Sequence, residues 1–260
     1  MGHKRTGFLP KTKKWRDIVD QMGSYTNHVD SIANIAEQTL ENVKSRFEFI
    51  EKDSGVIAAF KFLIYLSYSA KLTKPKEFFA TQGIQINGDP TPLQLAKSIN
   101  NWFADKTDSL EYAAFAKSAT IDALSLWHQH NNTNQESLFV SKDPYEIWRG
   151  TSDGSGFCEI SRMYFAKFTE RYLKYFLERE ASSAITNIKD RDAFNFQLER
   201  HVNDISMHSF EIFKITQSFA AGWFNKNVST TIPTDRKIEK FVSFAFAKIR
   251  AELSRGKNDK

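Results

Sequence analysis

Apolar side chains at Val29, Ile32, Ala36, Leu40, Val43, Phe47 and Ile50 recur at steps of three and four, with polar residues between most of them. That period belongs to an α-helix, whose 3.6-residue turn stacks such positions on one face; a half-buried strand needs alternation at two. The seam lasts about six turns and is coiled-coil-like in spacing. Asp53, Ser54 and Gly55 interrupt it, and a nearly continuous apolar run follows over 55–70, so the pair reads as a helical hairpin. The second run holds 16 residues with Lys61 near its centre. A bilayer needs about 20 apolar residues and penalises a central charge, so the spacing predicts a buried core helix.

Further helix starts carry capping chemistry. Thr91, Pro92 and Gln94 supply a cap, a proline at the first helical position and a capping-box glutamine. Asp108 and Glu111 repeat the logic for a helix reaching Trp127, and Asp143-Pro144 opens a short one. Three more helices follow over about 156–180, 191–225 and 235–255, the last after Pro233 and Thr234. No alternating β-branched run is bounded by turn residues; 83–89, GIQINGD, is the one candidate for a short strand or hairpin arm. The expectation is an all-α multi-helix bundle of eight to nine helices. Its N-terminal lobe (1–130) and C-terminal lobe (157–260) would be joined by a polar, glycine-rich connection over 131–156.

The chain's 23 phenylalanines and five tryptophans require a strongly aromatic core or aromatic surfaces. One cysteine, Cys158, excludes an intramolecular disulfide and fits a reducing compartment. The basic N-terminus precedes no apolar core of a secretory signal, so a cytoplasmic chain without a membrane partner is expected.

Charge is unevenly spread. Residues 1–16 carry six cations and no acid, among them Lys11, Lys13, Lys14 and Arg16. Residues 236–260 carry eight Lys/Arg against three acids, whereas the formal charge of 17–235 is −6. On the last helix Lys237, Lys240, Lys248 and Arg255 project within an ~80° arc that includes Phe244, and the apolar positions centre roughly 100° away. The arm interleaves Phe8 and Trp15 with its cations. Basic residues mixed with aromatics suit phosphates and unstacked bases. These eight residues are the candidate nucleic-acid contacts. The same ends also suit an acidic protein partner. A third basic face, Lys167, Arg171 and Lys174, is matched by Glu170 and Glu178 along the helix.

Two other constellations bear on chemistry. In WRGTSDGSGFCEISR, 148–162, glycine-rich backbone could form an anion nest, with Arg149, Ser152, Ser155 and Arg162 as the candidate anion-binding residues. A phosphate loop requires lysine and a hydroxyl residue after its last glycine, yet Phe157 and Cys158 follow, and no strand precedes. A flexible hinge with Ser155 as helix cap is the simpler reading. Farther on, His201, Asp204, His208 and Glu211 share one helix face within ~80°. Their donors suit zinc or iron in a metal-dependent hydrolase completed by a second helix. No protease or di-iron spacing accompanies them, so a structural polar edge is the default and no metal site is favoured. Cys158 lacks a nearby histidine, and His128 and His130 close a helix, where protonated imidazole suits the dipole. No cofactor is implied. The sequence thus predicts a non-enzymatic helical subunit of an intracellular assembly working on DNA or RNA, docked through basic ends beside other protein subunits. A prokaryotic genome-defence complex is one setting that fits.

Overall fold

A computed structural model describes residues 11–24, 29–104, 112–132, 143–211 and 219–253. Among these residues the chain forms α1 (Lys13–Gly23), α2 (Val29–Ile50), α3 (Ser54–Ser69), α4 (Pro75–Thr81), α5 (Pro92–Ala104) and α6 (Ala113–Asn131). Then come α7 (Glu146–Arg149), a 3-10 turn (Gly150–Ser152), α8 (Gly154–Ala184), α9 (Ile188–Glu211), α10 (Phe219–Asn227) and α11 (Asp235–Leu253). The described residues contain no strand, so the all-α expectation holds. The count of eight to nine helices is corrected to eleven α-helices among those residues. Two of the additional ones carry local signals. Thr12 accepts a hydrogen bond from the Trp15 amide at 3.1 Å and starts α1 inside what reads as a basic arm. Pro75 occupies the first turn of the seven-residue α4.

Residues 83–89 form no strand because Gly83 and Ile84 close α4. The Gly83 amide donates to the Ala80 carbonyl at 3.0 Å and the Ile84 amide to Phe79 at 2.9 Å, with Gly83 at φ +75°. That is a Schellman ending, and its hydrophobic contact joins two buried side chains, Phe79 and Ile84.

Helix α8 is the axis of the molecule. It is 31 residues long, roughly 46 Å at 1.5 Å per residue. Helices α6, α9, α10 and α1 pack around it. A helix covered on most sides must be apolar most of the way round, and α8 buries Phe157, Ile160, Tyr164, Phe165, Phe168, Tyr172 and Phe176. Helix α3 is likewise buried along its length; Lys61 escapes to pair with Asp235 of α11 at 2.6 Å. Gly55 sits where a β-carbon would be 2.6 Å from the Ala113 Cβ, so α3 and α6 approach closely. The expected α2–α3 hairpin is open: α2 packs on α1, α9, α8 and α11, while α3 packs mainly on α6, α11, α4, α5 and α8.

The aromatic content forms one continuous core. Phe60 of α3 lies 5.2 Å from Phe165 and 6.0 Å from Phe157 of α8, and stacks on Phe241 of α11 at 5.1 Å and 12°. The cluster extends from Trp15 to Ile249, so the halves on either side of 131–156 share it. Buried indoles donate to backbone carbonyls, Trp148 to Pro90 at 2.7 Å and Trp127 to Ile147 at 3.0 Å, satisfying the polar edge of an otherwise apolar ring. No helix among the described residues is long and apolar enough to cross a membrane.

Candidate nucleic-acid interface

Helix α11 separates its residue types by face. Ile238, Phe241, Val242, Ala245, Phe246 and Ile249 are buried. Lys237 and Lys240 are exposed, Lys248 is half-buried, and Phe244 is 47% exposed among them. The helix is pinned at both halves: Asp235 by Lys61, and the distal half by Glu51, which accepts from the Ser243 hydroxyl at 2.7 Å and pairs with Arg250 at 3.2 Å. Arg250 is therefore neutralised, whereas Lys237 and Lys240 form no ion pair among the described residues.

Phe244 is the outer rung of an aromatic ladder. From Phe60 the contacts pass to Phe241, then to Phe219 at 5.6 Å, and from Phe219 edge-on to Phe244 at 5.1 Å and 74°. The Lys248 ammonium lies 5.6 Å from the Phe244 ring centroid.

At the other end of the sequence, Lys11, Lys13, Lys14 and Arg16 are exposed around the buried Trp15. The indole packs edge-on against Phe176 at 6.4 Å and donates to the Glu180 carboxylate at 3.2 Å. None of the four cations forms an ion pair among the described residues. Ring contacts set the relative level of the two ends. Phe241 touches Phe157 and Phe165, and Phe246 touches Phe165 and Phe168, so α11 advances along α8 in the same sense. Phe176 lies about 12 Å beyond Phe168, and α11 advances roughly 10 Å from Phe246 to Leu253. The distal half of α11 thus runs toward the level of Trp15. Along α2, Thr12 donates to Asn42 at 3.1 Å, and Glu51, which meets α11, follows just past the end of that helix, roughly 13 Å on. Arg255 and the cations of residues 1–10 lie outside the described residues.

The glycine-rich stretch forms the 3-10 turn at Gly150–Ser152 and the first turn of α8. Asp153, not Ser155, caps α8, accepting from the Gly156 amide at 2.8 Å. The positive-φ glycines of the described residues are Gly83 and Gly88, so 150–156 lacks the alternating backbone that a nest requires. Its glycines serve close packing. A β-carbon on Gly156 would meet the Gly150 carbonyl oxygen at 1.7 Å; one on Gly154 would meet Asn225 at 3.0 Å and Ala221 at 3.2 Å across α10. Arg149 pairs with Asp143, and the Ser152 hydroxyl donates to the Arg149 carbonyl at 2.6 Å. Ser155 is exposed, and Arg162, two turns into α8, donates to Asn203 of α9 at 3.0 Å. The four candidates do not converge.

A groove of about 310 Å³ opens where the end of α6 meets α8 and α9, lined by Leu126, Met163, Ala166 and Phe196 together with Arg162, Lys167, Glu170, Glu199 and Arg200. Glu170, 7% exposed, takes Lys167 at 2.9 Å and Lys174 at 2.5 Å, while Lys167 also bridges to Glu199. Burial opposes charge on Lys167, but the hydrogen bonds it donates to the Glu199 and Glu170 carboxylates prevail and raise its pKa. The Lys167 hydrogen bond holds the Glu199 carboxyl below its usual range. Lys167 and Glu199 are thus held in their charged forms at neutral pH, which suits a structural clamp better than proton transfer. The Glu170 pairings follow from helical spacing; Glu199, and Asp122 taken by Arg171 at 2.5 Å, come from other helices, and no local pattern reveals them.

Of the candidate metal ligands, His201 is half-buried and Asp204 exposed; the side chains of His208 and Glu211 lie outside the described residues. Burial lowers the His201 pKa against the opposing charge of Asp204, keeping the imidazole neutral. Among the described residues no three His, Cys, Asp or Glu side chains gather closely enough to hold a metal ion. Compared with known protein families, curated proteins and solved structures, the chain has no match.

Proposed function

We propose that the chain is a nucleic-acid-binding helical subunit that grips a phosphate backbone electrostatically through α11 and the start of α1. The observation that carries this reading is how exposed cations cluster at the two ends. Lys237 and Lys240 follow one another on the exposed side of α11, and Lys11, Lys13, Lys14 and Arg16 crowd the start of α1, and none of these six forms an ion pair among the described residues. Both sets flank helices fixed to the core, so their backbone positions are determined before any ligand arrives. Contacts of this kind position a polyanion without reading its bases.

Binding is measured by fluorescence anisotropy on labelled oligonucleotides over a salt series. Log affinity should fall linearly with log salt, by about 0.7–0.9 per phosphate neutralised. Replacing Lys237, Lys240 and Lys248 together by glutamate should weaken binding to the same extent on every sequence tried. Undiminished affinity in that triple variant overturns the assignment. Tight binding of an acidic polypeptide, with none of any nucleic acid, replaces it with the protein-partner reading.

A further inference from the structure

Resting on that reading, we infer that the α11 surface takes single-stranded nucleic acid, with one base stacked on the Phe244 ring and phosphates on the lysines either side of it. Three observations combine. First, the ring is held ready: Phe219 braces it in a T-shaped contact at 5.1 Å and 74°, and Phe219 in turn rests on the buried Phe241 at 5.6 Å. A ring so supported has little freedom to lose when a base lands on it. Second, it stays 47% exposed although Ile238, Phe241, Val242, Ala245, Phe246 and Ile249 on neighbouring faces of the helix are all buried. Third, its setting is cationic. Lys240 and Lys248 stand one turn before and one turn after Phe244, each about 6 Å along the axis, Lys237 precedes them within the same ~80° arc, and the Lys248 ammonium lies 5.6 Å from the ring centroid.

A duplex keeps its bases stacked on each other and offers this surface phosphates alone. A single strand offers both phosphates and free base faces, and only it can use the ring. The arrangement reads no base edge, so it tolerates every sequence.

The test compares a labelled oligothymidylate with a duplex of equal length, using the full chain as wild type, Phe244→Ala, Phe244→Trp and the Lys237/Lys240/Lys248 triple glutamate variant. Wild type should prefer the single strand. Phe244→Ala should weaken that binding about five- to hundredfold and leave duplex affinity unchanged. Phe244→Trp should retain the preference, with its added indole fluorescence quenched by the oligothymidylate. If Phe244→Ala binds the single strand as wild type does, or loses equally on both ligands, the stacking inference is overturned while the electrostatic reading stands through the triple variant. If wild type binds neither ligand at low salt, the electrostatic reading itself is overturned.

Discussion

A methyl group added to Gly156 has nowhere to go: it would lie 1.7 Å from the Gly150 carbonyl oxygen, a backbone atom that cannot swing aside. Gly222 in α10 has no atom within 4 Å of the same hypothetical carbon. Gly156→Ala should therefore destabilise the chain by about 3 kcal/mol or more through overpacking. Gly222→Ala should stabilise it by about 0.4–1 kcal/mol, because the unfolded chain loses freedom and the helix loses nothing. Urea midpoints of the two variants check both signs. The contrast also shows what the sequence withheld at this scale. WRGTSDGSG marks itself as unusual, but glycine density has two physical meanings, backbone freedom and absence of bulk. Choosing between them requires the neighbours, and for Gly154 those neighbours, Ala221 and Asn225, lie far along the chain. Ser155 was expected as the cap, but α8 begins at Gly154, which puts Asp153 in that place.

Periodicity works best at the scale of a helix. Of the apolar positions expected on α11, Ile238, Val242, Ala245 and Ile249 are buried, the side chain of Leu253 lies outside the described residues, and Lys237 and Lys240 are exposed beside them. For α1 the run of cations hid a helix that buries Trp15, Ile18 and Met22 at helical spacing. Cross-helix charge pairs were beyond reach, since Lys167 finds Glu199 on α9 only after the chain has folded back. That clamp and His201 make stability depend on pH in definite directions. Glu199 titrates below its unfolded value, so its contribution is complete above about pH 4.3 and is lost as pH falls through the depressed folded pKa. Lys167 titrates above its unfolded value, so its contribution is complete below about pH 10.4 and is lost at higher pH. His201 titrates below its unfolded value; the folded state excludes its proton, and stability declines as pH drops below about 6.5. Urea midpoints across pH should therefore form a plateau with a shoulder on the acid side. His201→Gln should remove the slope just below neutrality, and Glu199→Gln should flatten the more acidic one. A midpoint profile for His201→Gln superimposable on wild type between pH 7 and about 5 would contradict the assignment.

Across the whole molecule the distribution of charge was legible, but the position of its ends was not. Composition places cations at both termini of a slightly acidic body, while adjacency depends on how α1, α2, α8 and α11 pack. Rings decide it. Phe246 on Phe168 and Trp15 on Phe176 use the same central helix as a ruler and bring the distal half of α11 toward the level of α1. Two ends that grip one polyanion must behave differently in a titration from two that bind separately. Neutralising Lys11, Lys13, Lys14 and Arg16 to glutamine leaves Trp15 and its core packing intact while removing four exposed cations. On a single strand the slope of log affinity against log salt should then become shallower by about 0.7 for each phosphate no longer neutralised, up to about 3 in all. Combining these changes with the α11 reversal should leave almost no salt-dependent binding, and one strand should saturate one chain throughout. A stoichiometry of two strands per wild-type chain, each set of substitutions abolishing one, would mean that the termini act as independent sites. Equal occupancy with an unchanged slope would mean that the arm takes no part, and α11 alone would hold the strand.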